Sequence, residues 1–217
     1  MKPKFEPNAK YQPKEFSFKS KKKIKDILAN YPSNQARSAI MPLLDLAQRE
    51  VAAVGAKEKK PYGGWIPRAA MDEIANIVGQ PPIKVYEVAT FYSMYNLAPV
   101  GKYLVQFCTT TPCWLCGSTK ILEAAEAHLN IKMGESTKDG LFTLMEVECL
   151  GACVNGPMVQ INDDYYEDLT PENIVSVLES LAAGKKPTVG SQTKRKGSMA
   201  ITGPTSLEAE AKKAGVV

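Results

Sequence analysis

The sequence holds five cysteines, which fall into two clusters within its 217 residues. The first cluster comprises Cys108, Cys113 and Cys116, and the second comprises Cys149 and Cys153. Thiolates are ligands for soft or borderline metals, namely zinc, copper(I) and the irons of iron–sulfur clusters. The spacing therefore predicts a metal centre that is built by two cysteine-bearing loops.

Spacing alone leaves several kinds of site open. Zinc sites favour short ligand spacings, and both clusters fit that pattern loosely. The run Cys108-x4-Cys113-x2-Cys116 with one distant cysteine also fits the plant-type ferredoxins, although here a helix is predicted directly after Cys116. The pair Cys113-Trp-Leu-Cys116 ahead of a helix is in addition typical of a thioredoxin-like dithiol oxidoreductase.

The residues around the cysteines favour an iron–sulfur cluster. A [2Fe-2S] cluster with four thiolates is dinegative when oxidised and trinegative when reduced, so it needs nearby N–H donors. Small or hydrogen-bonding residues that expose backbone N–H groups lie within both loops: Thr109, Thr110, Thr111, Gly151, Asn155 and Gly156. Acidic residues only flank the second loop, at Glu146 and Glu148.

The single histidine, His128, excludes two further metal sites. A Rieske centre and a Cys2His2 zinc site each need two histidine ligands. His128 lies in a helical pattern among small and polar residues, so we expect it on the surface of a helix.

No nucleotide-binding loop is predicted in this chain. Gly151-x4-Gly156 has the glycine spacing of a phosphate-binding loop, but Pro157 stands where that loop requires lysine. The dinucleotide fingerprint G-x-G-x-x-G does not occur in the sequence. We therefore expect no dinucleotide site in the chain itself.

The first half of the chain has helical periodicity over about residues 20–97. Pro42 lies inside one helical pattern, which indicates a helix that starts late or kinks. Pro67 is expected to open the next helix and Gly79 to end it. A further helix is predicted over Ile83–Tyr95. Its aromatic residues are expected to pack inside the helical region, with the alternative that some of them face a partner subunit: Tyr86, Phe91, Tyr92 and Tyr95.

The pattern changes to alternating strands and helices after residue 99. Strands are predicted at 103–107, 142–147, 158–161 and 165–166, and helices at 118–129 and 171–183, the last capped by Thr170. The order β-α-β-β-α predicts a small α/β sandwich whose sheet is covered by two helices, so the whole chain is α+β. Each cysteine cluster follows the end of a strand, where loops on a rigid sheet can bring two pairs of sulfurs face to face.

Charge divides the chain into an acidic body and two basic ends. Residues 1–25 carry a net charge of +7, residues 185–217 carry +5 and residues 26–184 carry −8, giving a formal charge of +4. We expect the ends to be solvated and to lie against an acidic partner, since no nucleic-acid motif accompanies them.

No apolar run approaches the ~18 residues of a membrane-spanning helix. The predicted divisions are a basic arm (1–18), a helical bundle (19–98), the cysteine domain (99–184) and an irregular basic tail (185–217).

The chain also contains four segments that together are distinctive of one protein family. They are Cys-Thr-Thr-Thr-Pro-Cys at 108–113, Glu-Val-Glu-Cys-Leu-Gly-Ala-Cys-Val-Asn-Gly-Pro-Met-Val-Gln-Ile-Asn at 146–162, Tyr-Tyr-Glu-Asp-Leu-Thr at 165–170 and Val-Tyr-Glu-Val-Ala-Thr-Phe-Tyr at 85–92. These segments resemble the 24 kDa subunit family of respiratory complex I, NADH:ubiquinone oxidoreductase. The resemblance covers about residues 16–187.

This resemblance implies a helical bundle followed by a thioredoxin-like domain that carries one [2Fe-2S] cluster. The implied ligands, which are also the cofactor-binding residues, are Cys108, Cys113, Cys149 and Cys153. Cys116 lies where the family needs no cysteine, so we expect it to be a free thiol. Gly156 stands where the family usually has alanine, a change that we do not expect to disturb ligation.

The resemblance also implies a function and an assembly. The chain would be an electron-transfer subunit that exchanges single electrons with the FMN of an adjacent subunit. That adjacent subunit would bind and oxidise NADH. The large iron–sulfur subunit of complex I would be a second partner. It would thus serve a proton-translocating NADH:ubiquinone reductase without a complete active site of its own. The implied location is the peripheral arm, on the matrix side of the mitochondrial inner membrane or on the cytoplasmic face of a bacterial plasma membrane. The alternative assembly is an NAD-reducing hydrogenase or a formate dehydrogenase.

Overall fold

The structure of the chain, a computed structural model, describes residues 12–200, 202–203 and 206–215. By its contacts the chain divides into two compact units, Met1–Leu104 with Met133–Met145, and Val105–Lys132 with Glu146–Val217. The domain boundaries expected from the sequence stay predictions. Most of the predicted basic arm, residues 1–11, lies outside the described residues.

The first unit is mainly helical. Its α-helices are α1 (Lys21–Leu28), α2 (Ile40–Gly55), α3 (Arg68–Val78) and α4 (Pro82–Phe91), and a 3-10 helix at Ser33–Ala39 precedes α2. Pro42 lies in the first turn of α2, where its missing N–H removes no helical hydrogen bond, so the helix starts late as predicted. Gly79 ends α3 in the left-handed conformation (φ +64°), also as predicted.

The core of this unit lies between α2, α3 and α4, where the most deeply buried side chains include Leu43, Leu44, Met71, Ile74 and Val85. The end of the predicted arm joins this core and is not wholly solvated. Phe18 is buried, and Phe16 packs against it edge to face with ring centroids 5.1 Å apart. Burying an aromatic ring stabilises a fold by about 1.5–3 kcal/mol, which favours docking of this stretch over leaving it in solvent.

Helix α4 ends at Phe91, earlier than the sequence predicted. Tyr92 is already extended, because the residues after it hydrogen-bond to other parts of the unit. Gln48 donates to the Met94 carbonyl at 3.0 Å, and the Asn96 N–H donates back to the Gln48 amide oxygen at 2.8 Å. The expectation that all four aromatic residues pack inside is therefore wrong in part, since Tyr95 is buried but Phe91 is 81% exposed.

A mixed sheet of five strands carries the cysteine loops. The strands are β1 (Tyr103–Cys108), β2 (Phe142–Val147), β3 (Val159–Ile161), β4 (Asp164–Glu167) and β5 (Gly190–Ser191), and their order in the sheet is β2-β1-β3-β4-β5. β1 pairs with β3 and β3 with β4 in antiparallel register, whereas β4 and β5 are parallel. The tight turn from β3 to β4 begins at Asn162, whose φ of +55° suits a two-residue hairpin turn.

The helices of the second unit are α5 (Thr111–Leu115), α6 (Ser118–Leu129), α7 (Pro171–Ala182) and α8 (Glu208–Lys213), with a 3-10 helix at Cys153–Asn155. Helices α6 and α7 pack against each other. Thr170 caps α7 as predicted, and its side chain and that of Asn173 form a reciprocal capping box. His128 is exposed on α6, as expected. The predicted order β-α-β-β-α and the α+β class are confirmed, and the short α5 was not predicted.

The basic tail departs from the expected solvated, irregular segment. Strand β5 adds to the sheet, and Arg195 forms an ion pair with Asp168 in which both side chains are less than a tenth exposed. The positive charge of Arg195 is thus neutralised within the unit, because a buried charge needs a partner. The tail also contains the short helix α8.

None of the helices in the described residues is both long enough and apolar enough to cross a membrane.

Candidate metal centre

The first cysteine loop begins where β1 ends. Cys108 is the last residue of that strand, and Cys113 lies on the short helix α5 three residues after Thr110. Both thiols are buried and share a small apolar cluster with Met158, against which Leu150 and Ala152 pack. The two thiols are therefore placed together by a rigid strand and by the first turn after it.

The second loop brings another pair of thiols together. The Sγ atoms of Cys149 and Cys153 lie 3.4 Å apart, well beyond the ~2.05 Å of a disulfide bond. Gly151 turns the chain between them at φ +90°, a conformation that glycine adopts readily. The loop is tied to β4 because the Tyr165 hydroxyl donates to the Leu150 carbonyl at 2.7 Å.

Hydrogen-bond donors surround Cys108. Burial would raise the pKa of its thiol, but hydrogen bonds from the Thr110 hydroxyl and from the backbone N–H groups of Leu150 and Thr110 together lower that pKa. The Thr110 hydroxyl oxygen lies 3.2 Å from Cys108 Sγ. These donors favour a thiolate, the form of cysteine that ligates metals.

The pKa shifts of Cys113 and Cys153 show that the four thiols lie close enough to interact. The pKa of Cys113 is raised to about 12, first by burial, then by its hydrogen bond with Cys108 and by the negative charges of Cys108 and Cys153. The hydrogen bond with Cys149 raises the pKa of Cys153, and the charges of Cys149 and Cys108 act in the same direction. Four thiolates in one such place repel one another, so they need cations between them.

The donor set fits a binuclear iron–sulfur cluster. Among the described residues, no three His, Cys, Asp or Glu side chains gather closely enough to hold a single metal ion. The thiols are instead arranged as two pairs, and a [2Fe-2S] cluster takes two thiolates on each iron. Gly156 leaves room beside the first pair, since a Cβ at that position would lie 3.3 Å from Cys113 Sγ.

The structure also places the remaining predicted residues. Thr110 contacts a sulfur as expected, whereas the Thr109 hydroxyl donates to the Glu146 carboxylate at 2.7 Å. The Leu150 and Met158 N–H groups hydrogen-bond to Cys108 and Cys113, and neither donor was predicted from the sequence. A backbone donor carries no side-chain signal, so only its position in the fold identifies it.

Cys116 stays apart from this group, as an exposed thiol just beyond the end of α5. Its predicted partner in a dithiol pair, Cys113, is buried and hydrogen-bonds to Cys108. The Cys113 thiol is thus engaged with the other thiols of the group. The geometry thus disfavours a thiol–disulfide oxidoreductase.

Comparison with family models gives one match. Residues 24–182 match the model of the thioredoxin-like [2Fe-2S] ferredoxins. That span includes all five cysteines and ends before β5 and Arg195.

Curated relatives match over most of this chain. The mitochondrial NADH dehydrogenase [ubiquinone] flavoprotein 2 of Dictyostelium discoideum is 46% identical over 202 residues, which are 93% of this chain and 77% of that protein. One subunit of the NADH-quinone oxidoreductase of Rickettsia bellii is 52% identical over 168 residues, which are 76% of this chain and 94% of that protein.

Among solved structures, an NAD+-reducing [NiFe]-hydrogenase in its H2-reduced state matches 63% of this chain and 23% of its own. The TM-score is 0.51 and the identity is 20%, so this likeness concerns the fold alone.

Proposed function

The chain belongs to the family of thioredoxin-like [2Fe-2S] ferredoxins, and on that premise we propose that it is an electron-transfer subunit of NADH:ubiquinone oxidoreductase (complex I). In this proposal it exchanges single electrons with the FMN of an adjacent NADH-oxidising subunit. The observation that carries the proposal is that two thiol pairs, on two loops of one sheet, lie close enough for their charges to interact. The bound [2Fe-2S] cluster supplies a one-electron carrier.

The proposed ligands are Cys108, Cys113, Cys149 and Cys153. The first pair is buried on β1 and α5, and the second lies on the more exposed loop after β2. Cys116 is not a ligand in this proposal, because it is exposed and lies outside the group of interacting thiols. The identity with the flavoprotein 2 and NADH-quinone oxidoreductase relatives over most of the chain supports the assignment to complex I.

The residues of this chain hold the electron carrier without reacting themselves. The strands β1 and β2 lead into the two loops, and this anchorage limits movement of the proposed ligands. The Thr110 hydroxyl and the N–H groups of Leu150 and Met158 point to sulfur and stabilise negative charge on it. Such donors make reduction of the site easier than it would be in an apolar pocket.

An exposed apolar rim beside the cysteines supports docking of a partner subunit. The rim consists of Trp114 (60% exposed), Leu115 (72%) and Val154 (63%), which directly follow Cys113 and Cys153 in the chain. The helix α5 and the 3-10 helix at Cys153–Asn155 contact each other, so the elements that carry these residues are neighbours. Interface centres are enriched in aromatic and apolar residues. We assign this rim to the NADH- and FMN-binding subunit.

The wider assembly follows from the same proposal. The chain serves as a subunit of a proton-translocating NADH:ubiquinone reductase, next to the large iron–sulfur subunit of complex I, and has no complete active site of its own. It lies in the peripheral arm, on the matrix side of the mitochondrial inner membrane or on the cytoplasmic face of a bacterial plasma membrane. The mitochondrial and bacterial relatives support either setting.

The test is chemical and spectroscopic analysis of the full chain purified without oxygen. We expect two irons and two acid-labile sulfides per chain and an EPR signal that appears on one-electron reduction. Mixed with its NADH-oxidising partner, the chain should be reduced by NADH. A chain that binds one zinc and no iron, or a cluster that NADH with the partner never reduces, would contradict the proposal.

An NAD-reducing hydrogenase is the second candidate assembly. It is favoured by the fold likeness to the hydrogenase chain, at 20% identity. The complex I relatives reach 46% and 52% identity, so they support the first candidate more strongly. Isolation of the native assembly separates the two, since a nickel-containing partner would identify a hydrogenase.

A further inference from the structure

The segment from Gly190 to Met199, called the C-terminal clamp below, lies against the second cysteine loop. We propose that the clamp fixes this loop through Arg195, which makes Arg195 and Asp168 positioning residues for the metal centre. This inference rests on the proposed ligand assignment of Cys149 and Cys153. The clamp and Arg195 lie beyond the part of the chain that matches the family model, which ends at residue 182, whereas Asp168 lies within it.

Arg195 is held by a two-pronged ion pair. Its Nη2 and Nε atoms donate to the two carboxylate oxygens of Asp168 at 2.6 and 3.0 Å. The Ser191 hydroxyl donates to the same carboxylate at 2.6 Å. The side chains of Arg195 and Asp168 are only 7% and 4% exposed. Such a fork-like pair is both stronger and more directional than a single ion contact.

Both members of the pair also bond to the residues that follow Cys153. The Nη1 atom of Arg195 donates to the Val154 carbonyl at 3.3 Å. The Asp168 N–H donates to the Asn155 carbonyl at 2.8 Å. Arg195 thus holds the Val154 carbonyl directly after a proposed ligand, and the backbone of its ion-pair partner holds the next carbonyl.

Asn155 makes a second connection between the loop and the clamp. It is buried, and its amide nitrogen donates to the Glu167 carboxylate at 2.7 Å and to the Gly197 carbonyl at 2.8 Å. Glu167 belongs to β4, with which the clamp pairs through β5, and the Gln192 N–H donates to the Glu167 carbonyl at 2.9 Å. The clamp is therefore part of the sheet and is able to hold the loop.

The chemistry of the pair explains why arginine is required. A lysine in place of Arg195 keeps the charge but carries all its N–H donors on one nitrogen, so it cannot hold both Asp168 oxygens and the Val154 carbonyl in the same geometry. Removing the charge altogether leaves Asp168 buried without its partner. Because Cys149 and Cys153 form the more exposed pair of thiols, a loosened loop admits water and chelators to the ligands.

The test compares Arg195→Ala and Arg195→Lys with Lys213→Ala in the full, cluster-loaded chain. The control removes a positive charge from an exposed residue of α8 in the same tail. We expect both Arg195 variants to lose iron to a chelator about 10–100-fold faster than the parent chain, as is typical for residues that orient ligands. Their EPR spectra and reduction potentials should also shift, and those of Lys213→Ala should not.

A milder variant covers the case in which the Arg195 variants do not fold. Ser191→Ala removes one donor to Asp168 and the acceptor of the Thr193 and Arg195 N–H groups, but it keeps both side chains of the ion pair. It should therefore accelerate iron loss by a smaller factor. Folded variants that lower only the unfolding midpoint, with unchanged iron loss, EPR spectrum and potential, would overturn the clamp proposal while the proposed function stands. A parent chain that holds no cluster would overturn both proposals.

Discussion

The hydroxyl oxygen of Thr110 lies 3.2 Å from the Sγ atom of Cys108, directly after the strand that presents this cysteine. The contact lowers the pKa of Cys108 against the effect of burial. Thr110 precedes the first residue of α5, but its side chain does not cap that helix. Its hydroxyl thus serves the sulfur, which allows the hydrogen bond to be removed without damage to the helix.

We expect Thr110→Val to lower the reduction potential of the cluster by roughly 20–60 mV, because a donor to sulfur stabilises the more negative, reduced state. Potentiometric titration monitored by EPR measures the shift. Thr109→Val is the matched control, since the Thr109 hydroxyl donates to Glu146 and not to sulfur. Equal potentials for Thr110→Val and the parent chain would show that this hydrogen bond does not tune the site.

Replacement of each cysteine by serine tests the ligand set. We expect Cys108→Ser, Cys113→Ser, Cys149→Ser and Cys153→Ser each to prevent assembly of a normal cluster, because a hydroxyl is a harder and weaker ligand for iron than a thiolate. Cys116→Ser should bind iron and sulfide like the parent chain, since this thiol is exposed and apart. Iron and sulfide analysis with visible absorbance decides the question. Loss of the absorbance in Cys116→Ser would refute the assignment.

The sequence predicted the elements around the site because their signals are local. Thr170 and Pro171 mark the start of α7, and the alternating strands end at cysteines, so the loops could be located from neighbouring residues alone. The predicted helix over Ile83–Tyr95 failed where a distant side chain, that of Gln48, bonds to the chain after Phe91. Local periodicity contains no information on such a partner.

Some residues of the site were not predicted, because their partners are distant in the sequence or because they act through the backbone. Arg195 lies in a basic tail, and its charge resembles that of its solvated neighbours until Asp168 is placed beside it. The Leu150 and Met158 donors are backbone groups, which every residue except proline carries. Thr110 was among the small or hydrogen-bonding residues that the sequence indicated in the cysteine loops, but the sequence did not distinguish it from Thr109, whose hydroxyl donates to Glu146.

Gly156 tests the space beside the first thiol pair. An added Cβ would lie 3.3 Å from Cys113 Sγ and 3.4 Å from the Cys153 carbonyl oxygen, a tight contact that a small shift relieves. We therefore expect Gly156→Ala to keep the cluster with a slightly altered EPR spectrum, and Gly156→Leu to lose most of its iron. Gly151→Ala is a useful comparison, because no atom lies within 4 Å of its Cβ but its φ of +90° is strained for alanine. Full iron content in Gly156→Leu would argue against close packing at this point.

Tyr95 gives the helical unit a pH dependence at alkaline pH. Burial raises the pKa of Tyr95 from 10.0 to about 12, with smaller effects from Asp45 and Tyr92, and its hydroxyl donates to the Met41 carbonyl at 3.0 Å. The unfolded chain therefore loses this proton at lower pH than the folded chain does. The resulting stability is complete below pH 10 and is lost progressively as the pH rises from 10 to 12, by up to about 2–3 kcal/mol.

Urea unfolding of the parent chain and of Tyr95→Phe between pH 9 and pH 12 measures this effect. The variant lacks the titrating hydroxyl, so its unfolding free energy should fall less steeply over that range, although it starts about 1 kcal/mol lower for want of the hydrogen bond. Parallel curves for the two chains would mean that Tyr95 does not contribute to alkaline unfolding.

The apolar rim beside the cysteines provides the test of partner docking. Leu115 is 72% exposed on α5 and Leu207 is 73% exposed next to α8, so Leu115→Asp and Leu207→Asp introduce the same charge at equally accessible positions. Only Leu115 belongs to the rim assigned to the NADH-oxidising subunit. We expect Leu115→Asp to weaken binding to that subunit at least tenfold, because a charge buried at an apolar interface costs about 1.4 kcal/mol or more. Iron content should be unchanged in both variants, which separates docking from cluster assembly. If both variants bind the partner as the parent chain does, the rim is not the docking surface. If both variants lose binding to the same extent, the loss is an effect of net charge, and the assignment of the rim as a specific contact is contradicted.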